Sequence, residues 1–231
     1  MSHLYIFDEK GPASHYGIGN YIRNIIPVCK EISIPITVVS LNKDGKEDHY
    51  TSDNGIHHID IPLLKGTDGK PLELDRKEER RKYCQYVVSV LETYIPSSDV
   101  VCFHLNYTQD YFLAENLKSR WPAAKILLTV HYFTWSLALG GNMNRLAHIM
   151  SKEEKELSDF EQAVVYSALF EQKLFQLTDY IICLSHFSKQ VLTDYYEISE
   201  KKCWVNTEWN KRYFSKNRQE NSTPKVSYTR K

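Results

Sequence analysis

The regular alternation of short apolar segments with longer amphipathic segments is what most constrains the fold of this chain. Within residues 18–32 the apolar side chains recur at steps of three and four, which predicts a helix packed on a sheet. Residues 100–105 are almost entirely apolar, as is typical of a strand buried on both faces. Repeated units of this kind predict an α/β fold, with a Rossmann-like parallel β-sheet and helices on both faces. The predicted strands span residues 4–7, 35–41, 56–61, 100–105, 124–130, 179–184 and 203–205.

Polar signals mark where the other elements begin. Ser151 and Glu154 match the pattern of a capping box, in which each side chain bonds the other residue's backbone amide. A helix is therefore predicted to start there and to run to about residue 177. Ser185 is expected to cap a further helix that ends near residue 196. Residues 42–55 are rich in Gly, Asp, Asn and Lys and are expected to form a polar hairpin or loop.

Composition excludes several classes of protein. The 231 residues include 29 Lys plus Arg and 29 Asp plus Glu, so the formal net charge is zero. Because duplex affinity depends largely on clustered Lys and Arg, no nucleic-acid partner is expected. The five cysteines lie far apart and form no C-x-x-C pair, which predicts neither a disulfide framework nor a zinc site. The N-terminus reaches acidic Asp8 without the pattern of a signal peptide, so a cytoplasmic location is expected.

The pattern changes after Val205. Residues 206–231 have no apolar periodicity and carry seven Lys or Arg residues against two Glu residues. We therefore expect one domain over residues 1–205, followed by a basic tail or a truncated interdomain linker over residues 206–231. Since basic residues are attracted to anionic lipid, peripheral contact with the inner face of the membrane stays open.

Two glycines stand at the mouth of the first predicted helix. Gly17 and Gly19 allow close approach to the backbone there, and the amides of the first helical turn favour a phosphate or another anion. The equally weighted alternative is that the glycines only shape a turn and let the helix pack. A dinucleotide fingerprint is absent, because Ile22 occupies the place of its third glycine, and no P-loop sequence is present.

Further candidates directly follow the predicted strands, because ligands of parallel sheets bind outside the carboxyl ends of the strands. His131 follows the strand 124–130, where a near-neutral pKa would suit it to hydrogen bonding or proton exchange. A buried structural histidine with satisfied hydrogen bonds is the alternative. Asn106 and Ser185 follow two other strands, and helix capping is the simpler role for Ser185. His57 and His58 lie on a short predicted strand with no third ligand, and His104 lies inside a buried predicted strand, so no metal site is expected.

Taken together, three segments resemble the N-terminal domain of a GT-B glycosyltransferase of the family 4 type, in particular its bacterial polysaccharide-biosynthesis members. They are Gly17-Ile18-Gly19-Asn20-Tyr21-Ile22-Arg23, Val130-His131-Tyr132-Phe133, and Ile181-Ile182-Cys183-Leu184-Ser185-His186-Phe187-Ser188-Lys189. The resemblance implies a retaining enzyme that takes a nucleotide-sugar as co-substrate and needs no metal or other cofactor. The acceptor that it implies is a glycan or a lipid-linked molecule.

The resemblance also implies roles for individual residues. His131 would contact the transferred sugar and help to stabilise charge at the reacting centre, so it is the candidate catalytic residue. Gly17 and Gly19 would let the backbone approach the donor diphosphate and the acceptor. Asn20 and Tyr132 depart from the family pattern, which has Arg and Asp at these places. The residues expected to line the acceptor cleft are Tyr16, Asn20, Arg23, Asn106 and Ser185.

The end of the chain departs furthest from the family. After Val205-Asn206 the family has a glycine and then a second domain that holds the donor, whereas this chain has Thr207 and ends at Lys231. The leading hypothesis is a glycosyltransferase that is truncated, split or interrupted after its first domain, so that this half has little or no activity alone; in the split version a separately encoded chain supplies the donor-binding domain. The alternative is a catalytically inactive module that binds a glycan or a partner. A dehydrogenase-like nucleotide binder is a third hypothesis, which Ile22 disfavours.

Overall fold

The computed structural model describes residues 3–9, 17–96 and 100–206, and these form an α/β structure around one eight-stranded sheet. The spatial order of the strands is β3-β4-β2-β1-β5-β6-β7-β8. All neighbouring strands are parallel except β3 and β4, which pair antiparallel. The predicted fold class is confirmed. The strands are β1 (His3–Glu9), β2 (Ile36–Lys43), β3 (His49–Asp53), β4 (Ile56–Pro62), β5 (Val101–Leu105), β6 (Lys125–Val130), β7 (Tyr180–Cys183) and β8 (Cys203–Val205).

Seven α-helices connect these strands within the described residues, and none of them is long and apolar enough to cross a membrane. The last helix continues into a single π-helical turn at Val191–Tyr195, and short 3₁₀ turns lie at Glu154–Glu156 and Glu200–Lys202. The helices are α1 (Gly17–Glu31), α2 (Lys77–Tyr94), α3 (Tyr111–Arg120), α4 (Thr134–Leu139), α5 (Met143–Met150), α6 (Asp159–Leu177) and α7 (His186–Gln190).

The helices divide between the two faces of the sheet according to the direction of each crossover. From β1 the chain moves through α1 to β2, whereas from β5 it moves the opposite way through α3 to β6. Right-handed crossovers in opposite directions place their helices on opposite faces. Accordingly, α1 packs with Ile6 in a small core, while α2 to α6 pack in a large core that includes Phe7 and Phe103.

The reversal of direction occurs at β1, between β2 and β5. Outside the carboxyl ends of the strands at such a switch point, neighbouring loops diverge and leave a crevice. The residues that follow β1, β5 and β6 therefore surround the place where a ligand of this fold is expected.

The predicted start of the long helix at Ser151 is wrong. Ser151 ends α5, and its hydroxyl donates to the His148 carbonyl over 2.8 Å. The capping box is formed seven residues later by Ser158 and Glu161, and α6 begins at Asp159. Both serines match the same sequence pattern, so only the preceding helix distinguishes them.

Two further elements differ from the sequence prediction. Helices α4 and α5 occupy a region for which no helix was predicted, because both are short and have few apolar positions. Strand β3 lies in the segment expected to be a polar hairpin or loop, and its antiparallel pairing with β4 agrees with the hairpin alternative. All five residues of β3 are exposed, so the strand has no apolar alternation to detect.

Candidate functional site

The residues predicted from the sequence lie along the carboxyl edge of the sheet. His131 directly follows β6, Asn106 directly follows β5, and Ser185 lies two residues after β7. Gly17 and Gly19 form the first turn of α1. Tyr16, also predicted for the acceptor cleft, lies outside the described residues.

Asn106 and His131 contact each other. Asn106 is buried, and its Nδ2 donates to the Phe7 carbonyl at 3.0 Å. This bond orients the amide, so that its Oδ1 faces His131 Nε2 at 3.3 Å. The neutral ring of His131 then carries its proton on Nε2, and Nδ1 is left as an acceptor. Asn106 is thus the residue that sets the tautomer of the candidate catalytic histidine.

The environment of His131 changes its ionisation. Burial lowers the pKa of His131 to about 4, because the charged imidazolium is poorly solvated there. Tyr21 of α1 packs its ring edge-on against the imidazole, with the ring centroids 4.8 Å apart. The near-neutral pKa expected from the residue type is therefore wrong. At pH 7 the His131 ring is therefore neutral. It can form hydrogen bonds, but it is not a charged imidazolium that could transfer a proton as a general acid.

A buried polar chain lies beneath this pair. The Tyr21 hydroxyl and His104 Nε2 each lie 2.8 Å from the Thr129 hydroxyl, which joins α1 to β5 and β6. Burial, followed by the nearby His131, lowers the pKa of His104 to about 3, so this ring is also neutral. His104 holds Thr129 in place, and Thr129 in turn orients the Tyr21 ring against His131.

Helix α1 contributes Tyr21 to the site, and its N-terminal turn directly precedes that residue. A Cβ added at Gly17 would meet no atom within 4 Å, so packing does not require a glycine there. Gly19 is buried, so close approach of a ligand and packing of the helix both stay predictions for this turn. Arg23 and Asn20 are exposed on the same helix and bond to each other, Nη2 to Oδ1, at 2.6 Å.

Ser185 does not join this group. Its hydroxyl accepts the Ser188 backbone N–H at 3.0 Å and lies 2.8 Å from the Ser188 hydroxyl. The capping role predicted for Ser185 is therefore confirmed. Its part in an acceptor cleft stays a prediction.

Carboxyl groups that sequence reasoning missed lie at the end of β1 and after β5. Burial raises the pKa of Asp8, although its carboxylate accepts a 3.1 Å hydrogen bond from the Tyr107 hydroxyl. Burial and the charge of Glu9 raise the pKa of Asp110 to about 8, against the opposing effect of Arg80. The sequence signal that could have indicated Asp110 was its position after a strand, since Tyr107 and Asp110 come shortly after β5.

A second missed residue supports the loop that carries His131. Glu171 of α6 is buried, accepts the backbone N–H of Thr134, and accepts the Tyr196 hydroxyl at 2.7 Å. The Thr134 hydroxyl also lies 3.1 Å from that of Thr108, in the loop after Asn106. Glu171 therefore ties together the two loops that present Asn106 and His131. A glutamate on an amphipathic helix gives no sequence signal for such a role.

Metal ligands do not converge within the described ranges. No group of three or more His, Cys, Asp or Glu side chains there is arranged to hold a metal ion.

Comparison with known proteins finds similarity in structure only. No protein-family model matches the chain, and no curated protein matches it. An alpha,alpha-trehalose 6-phosphate synthase from Burkholderia multivorans matches with a TM-score of 0.52 and 12% identity, over 85% of this chain and 44% of that one. A sucrose-phosphate synthase structure from Thermosynechococcus elongatus matches with a TM-score of 0.52 and 11% identity, over 95% of this chain and 97% of that one.

A third structure adds a bound sugar phosphate. A trehalose-phosphate synthase from Burkholderia xenovorans, solved in complex with glucose-6-phosphate, matches with a TM-score of 0.50 and 13% identity. The match covers 84% of this chain and 43% of that one. The chain thus spans less than half the length of the trehalose-phosphate synthases that it matches. At these identities the likeness shows the fold, which is that of one half of a GT-B glycosyltransferase.

Proposed function

We propose that this chain is the acceptor-binding half of a retaining glycosyltransferase of the family 4 type. It would take part in moving a sugar from a nucleotide-sugar to a glycan or lipid-linked acceptor in polysaccharide synthesis. The observation that carries the proposal is the convergence of His131, Asn106 and Tyr21 of α1 near the switch point of a sheet whose fold matches one half of a GT-B enzyme. The donor would bind to a second half, supplied by other residues or by a separately encoded chain.

His131 has a defined part in this proposal. Its neutral ring donates through Nε2 to Asn106, so Nδ1 can accept a hydrogen bond from a hydroxyl of the transferred sugar. Because the ring is held by Asn106 and Tyr21 before the sugar arrives, no reorganisation is needed as the reaction proceeds. His131 would orient the sugar and stabilise the reacting centre through hydrogen bonding, without carrying a charge.

The N-terminus of α1 has the complementary part. Its backbone amides and helix dipole favour negative charge, which suits the diphosphate of a nucleotide-sugar. The exposed Arg23 adds a cation two turns into the helix. The glycines allow the diphosphate to approach the backbone closely.

The nearby carboxyl groups favour a hydroxyl-rich acceptor. Asp8 and Glu9 lie at the carboxyl end of β1, where the Tyr107 hydroxyl donates to Asp8. Carboxyl groups form good hydrogen bonds with sugar hydroxyls, and ionised carboxylates repel a phosphate. The proposed acceptor is therefore bound through a sugar rather than through a phosphate group.

Ligand binding by the full chain tests the proposal first. Saturation-transfer NMR would be recorded with oligosaccharides, glucose-6-phosphate and a polyprenyl phosphate. We expect oligosaccharides to bind and Asn20→Ala, in the predicted acceptor cleft, to reduce their signal. The matched control is Asn144→Ala, which removes an exposed asparagine of α5 and should change nothing.

Reconstitution tests the transfer step. With a donor-binding half and a nucleotide-sugar, we expect transfer that His131→Ala slows by on the order of 100-fold. If oligosaccharides bind equally well to the His131→Ala variant and no donor supports turnover, the chain is an inactive binding module instead.

A further inference from the structure

Four aromatic side chains meet where α6 packs beside the start of α3. The Phe170 ring lies at the centre of this cluster. Its centroid is 4.3 Å from that of Tyr166, 5.4 Å from that of Tyr111 and 5.3 Å from that of Phe112. Phe112 is buried, whereas Tyr166 is 45% exposed and neighbouring Leu169 is 43% exposed. The outer part of the cluster is therefore an apolar surface in contact with water. This surface, which we call the α3–α6 aromatic face, consists of Tyr111, Tyr166, Leu169 and Phe170.

Three cations lie over the rings of this cluster. Lys173 Nζ is 5.3 Å from the centroid of the Phe170 ring, and Lys77 Nζ is 6.0 Å from it. Arg81 Cζ is 4.9 Å from the centroid of the Phe112 ring. All three basic residues are exposed, and none of them forms an ion pair with a carboxylate in the part of the chain that the structure describes. Their charges are therefore available to an anionic partner.

Two carboxylates lie near the same surface. Glu115 accepts the Tyr111 hydroxyl at 2.6 Å. Burial and the nearby charge of Glu78 raise the pKa of Tyr166. Neither carboxylate forms an ion pair with the three cations, so the positive charges outnumber the negative ones and are not neutralised by direct contact.

The arrangement of these side chains selects the kind of partner. The outward side of α6 is convex, whereas a small ligand needs a concave pocket. The Phe170 ring is covered by Tyr166 and by cations, so it offers no free face on which a sugar or a base could stack. Cations that surround exposed aromatic and aliphatic side chains match the surface of an anionic bilayer. There, lipid phosphates attract the cations, and apolar side chains enter the boundary between headgroups and acyl chains.

We propose that the α3–α6 aromatic face docks on an anionic lipid surface. Leu169 and Tyr166 enter the headgroup boundary, and Lys77, Arg81 and Lys173 contact lipid phosphates. This contact is separate from the one left open for the basic tail. The inference goes beyond the proposed function and does not depend on it, because no residue of the face is among those assigned to the acceptor cleft.

Co-sedimentation of the full chain with vesicles tests the contact. Vesicles of phosphatidylcholine and phosphatidylglycerol in equal parts are compared with vesicles of phosphatidylcholine alone. We expect the chain to bind only the mixed vesicles, and to bind them less well as salt is raised. In Lys77→Gln/Arg81→Gln/Lys173→Gln, binding should weaken by on the order of 100-fold, because three cations lose their attraction to lipid phosphates.

The matched control removes the same charge elsewhere and keeps the same tail. It is Lys30→Gln/Lys46→Gln/Lys201→Gln, in which all three residues are exposed. These positions lie on α1, after β2 and in the last 3₁₀ turn, so their loss should weaken binding far less. Equal weakening in the two variants, or no binding of the parent chain to mixed vesicles, overturns the proposal.

An environment-sensitive fluorophore gives an independent readout that leaves the cations in place. The fluorophore NBD is attached to Leu169→Cys and, as the matched control, to Val28→Cys, which is 46% exposed on α1. The parent chain, labelled in the same way, corrects for the five native cysteines. With mixed vesicles, we expect the emission at position 169 to increase and to shift to the blue, and the emission at position 28 to stay unchanged.

Other partners give other results in this experiment. A response at position 169 to heparin but not to vesicles would identify a soluble polyanion as the partner. A response that grows with protein concentration in the absence of lipid would identify a second copy of the chain. Equal responses at both positions, or none at either, would mean that the face makes no specific contact with lipid. Each of these results overturns the proposal.

Discussion

His131 and His104 lie near the carboxyl edge of the sheet, and burial lowers the pKa of both. Each ring has one strong polar neighbour, Asn106 for His131 and Thr129 for His104. Both imidazole rings are therefore neutral near pH 7. Two predictions follow from these contacts.

A charge placed at position 106 should change the ionisation of His131. In Asn106→Asp a carboxylate would replace the amide oxygen that lies 3.3 Å from Nε2, which stabilises the imidazolium. We expect the pKa of His131 to rise from about 4 by on the order of one to three pH units. NMR titration of the His131 ring measures this.

The matched control is Asn106→Leu. It also loses the bond to the Phe7 carbonyl but introduces no charge, so the pKa of His131 should stay low. Identical titration curves for the two variants would contradict the contact between Asn106 and His131.

His104 should contribute to acid denaturation. Its pKa is about 3 in the folded chain against 6.5 for the free side chain, so the unfolded chain binds more protons in this range. The contribution of neutral His104 to the free energy of unfolding is therefore complete above pH 6.5. It is lost progressively as the pH drops from 6.5 towards 3. In His104→Phe we expect this fall to be shallower by up to about 1.4 kcal/mol per pH unit. Urea unfolding at a series of pH values measures the slope, and parallel curves would refute the prediction.

At the scale of the element, capping decides where α6 begins. Ser158 accepts the Glu161 backbone N–H, and Glu161 reaches back to the Ser158 amide at 3.0 Å. Glu161 also pairs with Lys152 at 2.6 Å, which connects the cap to the end of α5. This local network replaces the box predicted at Ser151.

Alanine substitutions distinguish the two serines. Ser158→Ala should lower the free energy of unfolding by about 1 kcal/mol, because an amide of the first turn loses its acceptor. Ser151→Ala should change it by less than about 0.5 kcal/mol, since that hydroxyl only donates to an exposed helix end. Denaturant unfolding measures both, and a larger loss at position 151 would contradict the observed helix boundary.

Element prediction succeeded where packing and sequence pattern agree. The strand that becomes β5 is buried on one side by α2 and α3, and its apolar run is unmistakable. Strand β3 is fully exposed and α4 has six residues, so neither carries a periodic apolar signal. The position of β3 is set by the turn that pairs it with β4. The position of α4 is set by packing against α6, which is distant in sequence.

At the scale of the whole molecule, the charges balance in total but are distributed unevenly along the chain. The formal net charge is zero and the sequence pI is about 7.1, yet seven of the basic residues are concentrated in the last 26 positions. The remainder of the chain is therefore mildly acidic. This asymmetry allows association between copies of the chain when the net charge vanishes.

Solubility should accordingly depend on pH. We expect the full chain to be least soluble near pH 7 and more soluble on either side, because net charge of either sign opposes association. Ammonium sulfate precipitation midpoints at a series of pH values measure this. A midpoint that changes in one direction only across neutrality would contradict the expectation.

The fold class and the order of the strongly apolar strands and helices follow from the sequence alone, because apolar periodicity records which side of each such element is buried. Sequence position also placed Asn106 and His131 at strand ends, where ligands of parallel sheets bind. Only the tertiary structure decided that Asn106 orients His131, that burial keeps the ring neutral, and that Glu171 supports its loop. These properties depend on distances between residues far apart in the chain and on exclusion of water, neither of which a local pattern of residues records.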